Sequence, residues 1–452
     1  MVVHTRRLRR ISGLLLVAAI IGIANTAAVQ GIMQIPAHEQ LAVGDVLQLP
    51  KRIPQYLSQN IKVVADRQQL LRQSQVASIN GSADTGPAEF AQAAPAYPVL
   101  AGTGHLQVHY LLFGLIPLKT VDVDVVPQVK LIPGGQSIGV MLQSQGVIVV
   151  GQSPIIDAQG KKCYPAKDAG IRLGDLILQI DGKQVKTDSD VAQAVDRAGA
   201  SQKPIQVMLK RGQLLENKII KPIYCPDTQR YRIGLYVRDS AAGVGTLTFY
   251  DPVSGKYGAL GHIINDADTN QKIEIAQGKV IAAAIQSIQP GRRGQPGEKI
   301  GSFVQGSPYT GTIEKNTKCG IFGTIEGYLA NPLYAQPLPI AAESQVKTGA
   351  AKILTVVKGE KIEAFDINIE RLLPGRVDSK SMVIRITDPG LLAQSGGIVQ
   401  GMSGSPILQD GRIVGAVTHV FVNDPTRGYG VFIEQMLKEA NIPPNDKQRH
   451  AA

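Results

Sequence analysis

A serine set between two glycines, in Gly401-Met-Ser-Gly-Ser-Pro406, is the stretch of this sequence best suited to bond-making chemistry. Attack by a hydroxyl on a carbonyl needs a serine on a sharp turn, a base for its proton, and donors for the oxyanion that forms. Glycine permits the turn. Ser403 is therefore the candidate nucleophile, and the amides of Gly401 and Ser403 are the candidate oxyanion donors. The candidate base is His262, in Ala259-Leu-Gly-His-Ile-Ile-Asn-Asp266. The separation, 403 − 262 = 141 residues, leaves room for one β-barrel to carry each. Ser405 falls too late for the pattern and reads as a turn residue. The strand pattern Ile413–Phe421 follows, and on it Thr418 can hydrogen-bond near the pair, with His419 on the opposite face.

Spacing leaves the group that orients the base open. Glu298 and Glu314 lie some tens of residues after His262, and Asp266 lies beside it or caps its own loop. Other clusters carry less. Asn265, Asp266, Asp268 and Asn270 lack the glycine and terminal glutamate of a calcium loop. His105 and His109 share a strand face without a third ligand. No metal or cofactor is expected. Cys163, Cys225 and Cys319 are widely spaced with no CxxC pair, and they read as buried thiols.

The elements that position these residues must be mostly β. The chain has 452 residues, 48 of them glycine, and no tryptophan, which predicts two or three domains rich in short strands rather than helix bundles or disorder. The net charge of +11 has no aromatic stripe interleaved with it, so nucleic-acid binding is not read from it. The basic stretch His4–Arg10 precedes the apolar run Ile11–Ala24. Residues 1–34 thus read as a signal or a membrane anchor, with the bulk of the chain exported.

Residues 35–101 read as a linker region. It includes a helix over Gln55–Gln75, with Leu57, Ile61, Val64 and Leu71 on one side, and a flexible Ser78–Pro98. A β-rich segment spans 102–135, where Val121, Val123 and Val125 share one face and Asp122 and Asp124 the solvated other. Residues 136–222 form a small domain, and 228–440 read as barrels or a sandwich of strands between glycine turns.

The small domain, through Ala169-Gly-Ile-Arg-Leu-Gly-Asp-Leu-Ile177 and Ile180-Asp-Gly182, resembles a PDZ domain of the bacterial protease-associated type. That resemblance implies that Ile138-Gly139-Val140 presents amides to a peptide C-terminus or internal strand, beside a helix whose Val191 and Val195 wall the groove. The Gly-x-Ser-Gly-x-Pro turn is similar to the nucleophile turn of two-barrel chymotrypsin-like proteases. The strings Val237–Asp251, Ala259–Asp268, Gly397–Ile407 and Gly415–Pro425 resemble the SpoIVB peptidase family (stage IV sporulation protein B).

The family resemblance implies a mostly β protein, with a PDZ domain followed by a chymotrypsin-like double β-barrel. It implies an exported serine endopeptidase with His262 as base and Ser403 as nucleophile. It points to Asp388, in Ile384-Arg-Ile-Thr-Asp-Pro389, as the third triad member, and Asp before Pro also suits a turn cap. It further implies self-cleavage upstream of the PDZ domain. The implied substrate is a membrane-bound regulator of sigma-factor processing, met between the forespore and mother-cell membranes. The rival reading is a non-catalytic PDZ-containing scaffold on a degenerate protease fold.

Overall fold

Alternation of apolar and polar residues builds most of the strands. In Ile362–Leu372, Phe365, Ile367 and Ile369 are buried while Asp366, Asn368 and Glu370 point outward, the two-residue period of a strand with one wet face. The computed structural model describes residues 26–33, 35–42, 53–65, 104–126, 128–327, 329–376 and 378–443. The basic and apolar runs up to Ala24 and the stretch Ser78–Pro98 lie outside them. Among the described residues no helix is long and apolar enough to cross a membrane. The chain divides into two units, the larger being Lys130–Ile442.

The smaller unit holds a four-stranded sheet of His38–Ala42 (β1), Ile61–Ala65 (β2), Gly104–Leu112 (β3) and Ile116–Val126 (β4), in the order β1-β4-β3-β2. Val121, Val123 and Val125 are buried with Leu106, Val108 and Tyr110. Asp124 lies 2.7 Å from His105 and 3.2 Å from His38, so the outer face is hydrogen-bonded as well as solvated. Two expectations are corrected here. The helix over Gln55–Gln75 stops at Ser58, and Ile61–Ala65 pairs instead with β3. Its β-branched run Ile-Lys-Val-Val prefers a sheet face to a helix. Residues 38–42 and 61–65 of the expected linker region are therefore strands.

In the larger unit one strand serves two cores. Ser137–Gln152 (β5) buries Ile138, Val140 and Leu142 in one cluster and Val147 and Val149 in another. The second cluster belongs to a PDZ fold, whose sheet adds Leu176–Ile180 (β6), Ile205–Arg211 (β7) and Leu214–Ile220 (β8) to β5. Its helix, Asp188–Ala200 (α1), packs Val191 and Val195 into that cluster. A capping box starts α1, with the Thr187 hydroxyl accepting from the Asp190 amide and the Asp190 carboxylate from the Thr187 amide.

Leu235–Tyr250 (β9) returns beside β5 along its whole length, from Leu235 opposite Gln152 to Thr246 opposite Ser137. Lys256–Ala259 (β10), Ile275–Gln289 (β11), Tyr309–Thr312 (β13) and Gly320–Gly327 (β14) complete a ring β5-β11-β13-β14-β10-β9 that closes on β5. Glu298–Phe303 (β12) hangs on β11. The PDZ fold is thus spliced into the first barrel, and the expected boundary at residue 136 is corrected: 137–144 are barrel strand.

The second barrel is contiguous. Gly349–Val356 (β15), Ile362–Leu372 (β16), Met382–Ile386 (β17), Pro406–Gln409 (β18), Arg412–Phe421 (β19) and Asp424–Phe432 (β20) close in the order β15-β16-β17-β20-β19-β18. Pro389–Ser395 (α2) leads from β17 towards the serine turn. The fold is mostly β, with two six-stranded barrels of chymotrypsin type and a PDZ domain. The three cysteines are free.

Candidate active site

His262 leaves the first barrel just after β10, and Ser403 leaves the second just before β18. Both line one cleft of about 640 Å³, together with Ala242, Gly243, Val399 and His419.

The serine turn is tied down from below. Thr246 on β9 donates its amide to the Ser403 carbonyl (3.1 Å) and its hydroxyl to the Gly401 carbonyl (2.7 Å). Thr248 donates its hydroxyl to the Gly404 carbonyl (2.8 Å), and both threonines are fully buried. At Gly404 a Cβ would stand 2.0 Å from the Thr246 carbonyl oxygen, and φ is +94°, so only glycine fits this approach. The amides of Gly401 and Ser403 have no hydrogen-bond acceptor among the described residues. Two donors on one rigid turn that lines the cleft are what an oxyanion requires. The Ser403 hydroxyl donates to the Thr418 carbonyl (2.8 Å), while the Thr418 hydroxyl turns away to the Ser379 carbonyl (2.9 Å). Thr418 therefore meets the serine through its main chain. Ser405 is buried in the turn, its carbonyl accepting from Val417.

The histidine stands on a tighter corner. Leu260 has φ +67°, a conformation L residues seldom adopt, and Gly261 follows at +69°. The His262 Nδ1 lies 2.7 Å from the Ile263 carbonyl, which only accepts, so Nδ1 carries the hydrogen and Nε2 keeps a free lone pair. Burial lowers the His262 pKa below its ordinary value, and the Ile263 carbonyl offsets part of this. The imidazole is thus neutral at neutral pH, the form a base needs. His419, whose ring centroid is 5.1 Å from that of His262, is pushed down to about 4, first by burial and then by the nearby His262 and Lys380. Strand alternation separates the His419 side chain from that of Thr418 and places it against the base, a proximity that no local sequence pattern marks.

No carboxylate hydrogen-bonds His262 among the described residues. Asp388 is the N-cap of α2, its carboxylate accepting from the Leu391 amide (2.9 Å), with Pro389 as the first helical residue. In this structure Asp388 therefore caps α2 and does not orient His262. Asp266 is fully buried and ties its own loop, accepting from Thr269 (2.9 Å) and from Arg238 (2.9 Å). Burial raises its pKa, and the Thr269 and Arg238 hydrogen bonds outweigh that, leaving it below the ordinary value. Glu298 and Glu314 are exposed.

The expected peptide-binding loop also moves. Ile138, Gly139 and Val140 sit within β5 near its start, paired to Ala282, Ile281 and Val280 on one side and to Gly245, Val244 and Gly243 on the other. Both edges are occupied, so no peptide strand can add there. A groove of about 620 Å³ instead runs between Val191 and Val195 of α1 and the segment Ile233–Val237. Leu235, Tyr236 and Val237 pair with β5 on one edge only. Gly234, at φ +78°, opens that segment. The signal was present in the sequence twice: Ile233-Gly-Leu repeats the pattern of Ile138-Gly-Val, and only the topology separates them.

Residues 229–437 match the model of the SpoIVB peptidase S55 family, and residues 156–207 match that of the PDZ domain. Several solved structures are similar to parts of the chain. The PDZ domain of the SdrC-like protein Lmo2051 from Listeria monocytogenes is 24% identical over 21% of this chain and 87% of its own, with a TM-score of 0.17. The active form of the Rv3671c protease from M. tuberculosis is 14% identical over 45% of this chain and 78% of its own, with a TM-score of 0.26. The HtrA-type protease AlgW with a decapeptide is 11% identical over 45% of this chain and 53% of its own, with a TM-score of 0.26. A serine hydroxyl, a neutral imidazole and two spare amides on one cleft have the chemistry of a serine peptidase, and the chain is a serine endopeptidase whose residues 229–437 match the SpoIVB peptidase S55 family and which carries a PDZ domain.

Proposed function

We propose that Ser403 attacks the scissile carbonyl and that His262 Nε2 takes its proton. The amides of Gly401 and Ser403 hold the oxyanion, and protonated His262 then gives the proton to the leaving amine. Water repeats the sequence on the acyl-enzyme. The observation that carries this reading is the shared cleft, with His262 from one barrel and Ser403 on the tied turn of the other.

A second observation supports control of activity. The Ser403 hydroxyl is engaged by the Thr418 carbonyl rather than by His262, which fits a latent arrangement. β9 carries both the groove edge at Leu235–Val237 and Thr246, which binds the serine turn. A peptide added as a strand beside Leu235–Val237 would press on the same strand that holds Ser403.

By family resemblance, the substrates are the chain itself, upstream of the PDZ domain, and a membrane-bound regulator of sigma-factor processing in sporulation. The protein would then be exported to the space between the forespore and mother-cell membranes, held or delivered there by its N-terminal segment. The basic-then-apolar order of residues 4–24 supports export.

Fluorophosphonate labelling of the full chain tests the reading. Ser403 should be the labelled residue, Ser403→Ala should abolish both labelling and self-cleavage while the circular dichroism stays native, and a peptide with an apolar C-terminus should speed labelling. Serine-dependent cleavage that persists in Ser403→Ala would overturn the assignment. A labelling rate indifferent to every such peptide would remove the control.

A further inference from the structure

Beneath the serine turn lies a lysine that this chemistry does not use. Lys299, the second residue of β12, is only 5% exposed. Among the described residues its amine meets no carboxylate. Its one side-chain hydrogen bond runs from Nζ to Thr355 Oγ1, at 2.7 Å, and Thr355 is fully buried on β15 of the second barrel. Lys299 therefore starts on β12, which hangs on the first barrel, and ends on a strand of the second.

It passes under the oxyanion donors on the way. The Lys299 amide donates to the Gln400 carbonyl (2.9 Å), the residue before Gly401. The aliphatic stem then lies along Gly401, where a Cβ would stand 3.0 Å from Lys299 Cβ and 3.2 Å from its Cδ. Gly401 is thus held from one side by Thr246 and from the other by the lysine stem.

A methionine would fill the same tunnel without desolvating an amine. Burial alone pushes the Lys299 pKa down to about 7, with no charged group contributing from any element packed against it. Glu298, its chain neighbour, is exposed. A costly buried amine at the junction of two half-sites marks a functional placement rather than a packing one.

We propose that Lys299 is a positioning residue of the peptidase site, a strut between the two barrels that fixes Gly401 in the oxyanion turn. The proposal rests on the reading of Ser403 as nucleophile. Protonation would leave a charge without a counter-ion in this dry tunnel and favour its release toward water, so the strut is firm when neutral and slack when charged.

Fluorophosphonate inactivation of the full chain tests it, because the bound phosphonate oxygen occupies the oxyanion position. Lys299→Met should lower the maximal inactivation rate about tenfold while leaving the half-saturating concentration unchanged, as expected of misaligned donors. The acid limb of the wild-type rate combines Lys299 near 7 with His262 below it, so its midpoint should fall in the variant. The fold should not suffer. The folded amine titrates near 7 and the unfolded one near its usual 10.5, so the unfolded chain binds more protons between these values and wild-type stability rises with pH there. Lys299→Met should lack that rise and melt no lower at pH 7.

Thr355→Val, which keeps the shape and removes the acceptor, should move the rate in the same direction. If it labels at the wild-type rate, the proposal is overturned, whatever happens to the lysine variant. The same holds if Lys299→Met keeps the wild-type rate and midpoint. Failure of the unmodified chain to label at Ser403 would instead overturn the nucleophile assignment, and the strut's role with it.

Discussion

In the second barrel the serine turn is bound at three carbonyls, those of Gly401, Ser403 and Gly404, all by groups on one buried stretch of β9. In the first barrel His262 stands after a left-handed Leu260, and its ring has one hydrogen bond, to the carbonyl of the next residue. The oxyanion half of the site is thus assembled in advance, while the base half is held lightly. Rigid donors lower a barrier because they need not reorganise as charge develops. A lightly held imidazole can turn once to meet the serine when substrate or a PDZ-bound peptide arrives. Activation of this peptidase would then be a side-chain event at His262 and Ser403, with the turn unchanged.

Removing the base should have the largest effect. His262→Ala should lower the labelling or cleavage rate by about 10³-fold or more, the scale for losing a triad member, with little change in half-saturating concentration. In Lys299→Met, where the lysine no longer contributes, the rate should fall with decreasing pH only below the ordinary histidine range, because burial lowers the His262 pKa. A rate limited by an unperturbed or raised histidine would mean that the base half is already ordered by a charge absent from this arrangement.

The tied half should be less sensitive, one bond at a time. Thr246→Val keeps the shape of the side chain and leaves the Gly401 carbonyl short of a donor. An unsatisfied buried carbonyl costs about 1–3 kcal/mol, visible as a lower melting temperature. The tilt of Gly401 should lower the rate about tenfold. If Thr246→Val loses stability but keeps the full rate, the turn needs no support from β9, and the contrast between the halves disappears.

The two halves were also unequally legible. Ser403, its glycines and its distance from His262 are visible because turn chemistry is local: Gly404 must be glycine where the Thr246 carbonyl approaches to 2.0 Å of a would-be Cβ. The supports of that turn were invisible, since Thr246 and Lys299 act across 155 and about 100 residues of chain and carry no motif. The nearness of His419 to the base is hidden for a related reason. Alternation places its ring correctly on the face opposite the Thr418 side chain, but nothing local says that this face borders the base. The PDZ groove failed through degeneracy, because Ile138-Gly-Val and Ile233-Gly-Leu are the same signal. Only the closure of β5 into a barrel, paired on both edges, excludes the first. The helix over Gln55–Gln75 failed because four apolar residues at helical spacing outvoted a β-branched run that a neighbouring strand then captured.

Asp388 offers the smallest effect and the sharpest test of the comparison. As the N-cap of α2 it accepts from the Leu391 amide, a task that asparagine performs about equally well. Asp388→Asn should therefore leave both melting temperature and rate close to wild type. Asp388→Ala, which removes the acceptor, should cost about 1 kcal/mol of stability. An acid that orients a triad histidine behaves otherwise. Replacing such an aspartate by asparagine keeps the geometry, inverts the tautomer and lowers the rate about 10⁴-fold. If Asp388→Asn shows a loss of that size with an unchanged melting temperature, the base half is completed by a rearrangement that uncaps α2 and swings Asp388 to His262. The Ile263 carbonyl would then hold the imidazole only in the latent form. Wild-type activity in Asp388→Asn would leave the main-chain carbonyl as the orienting group in the working enzyme as well.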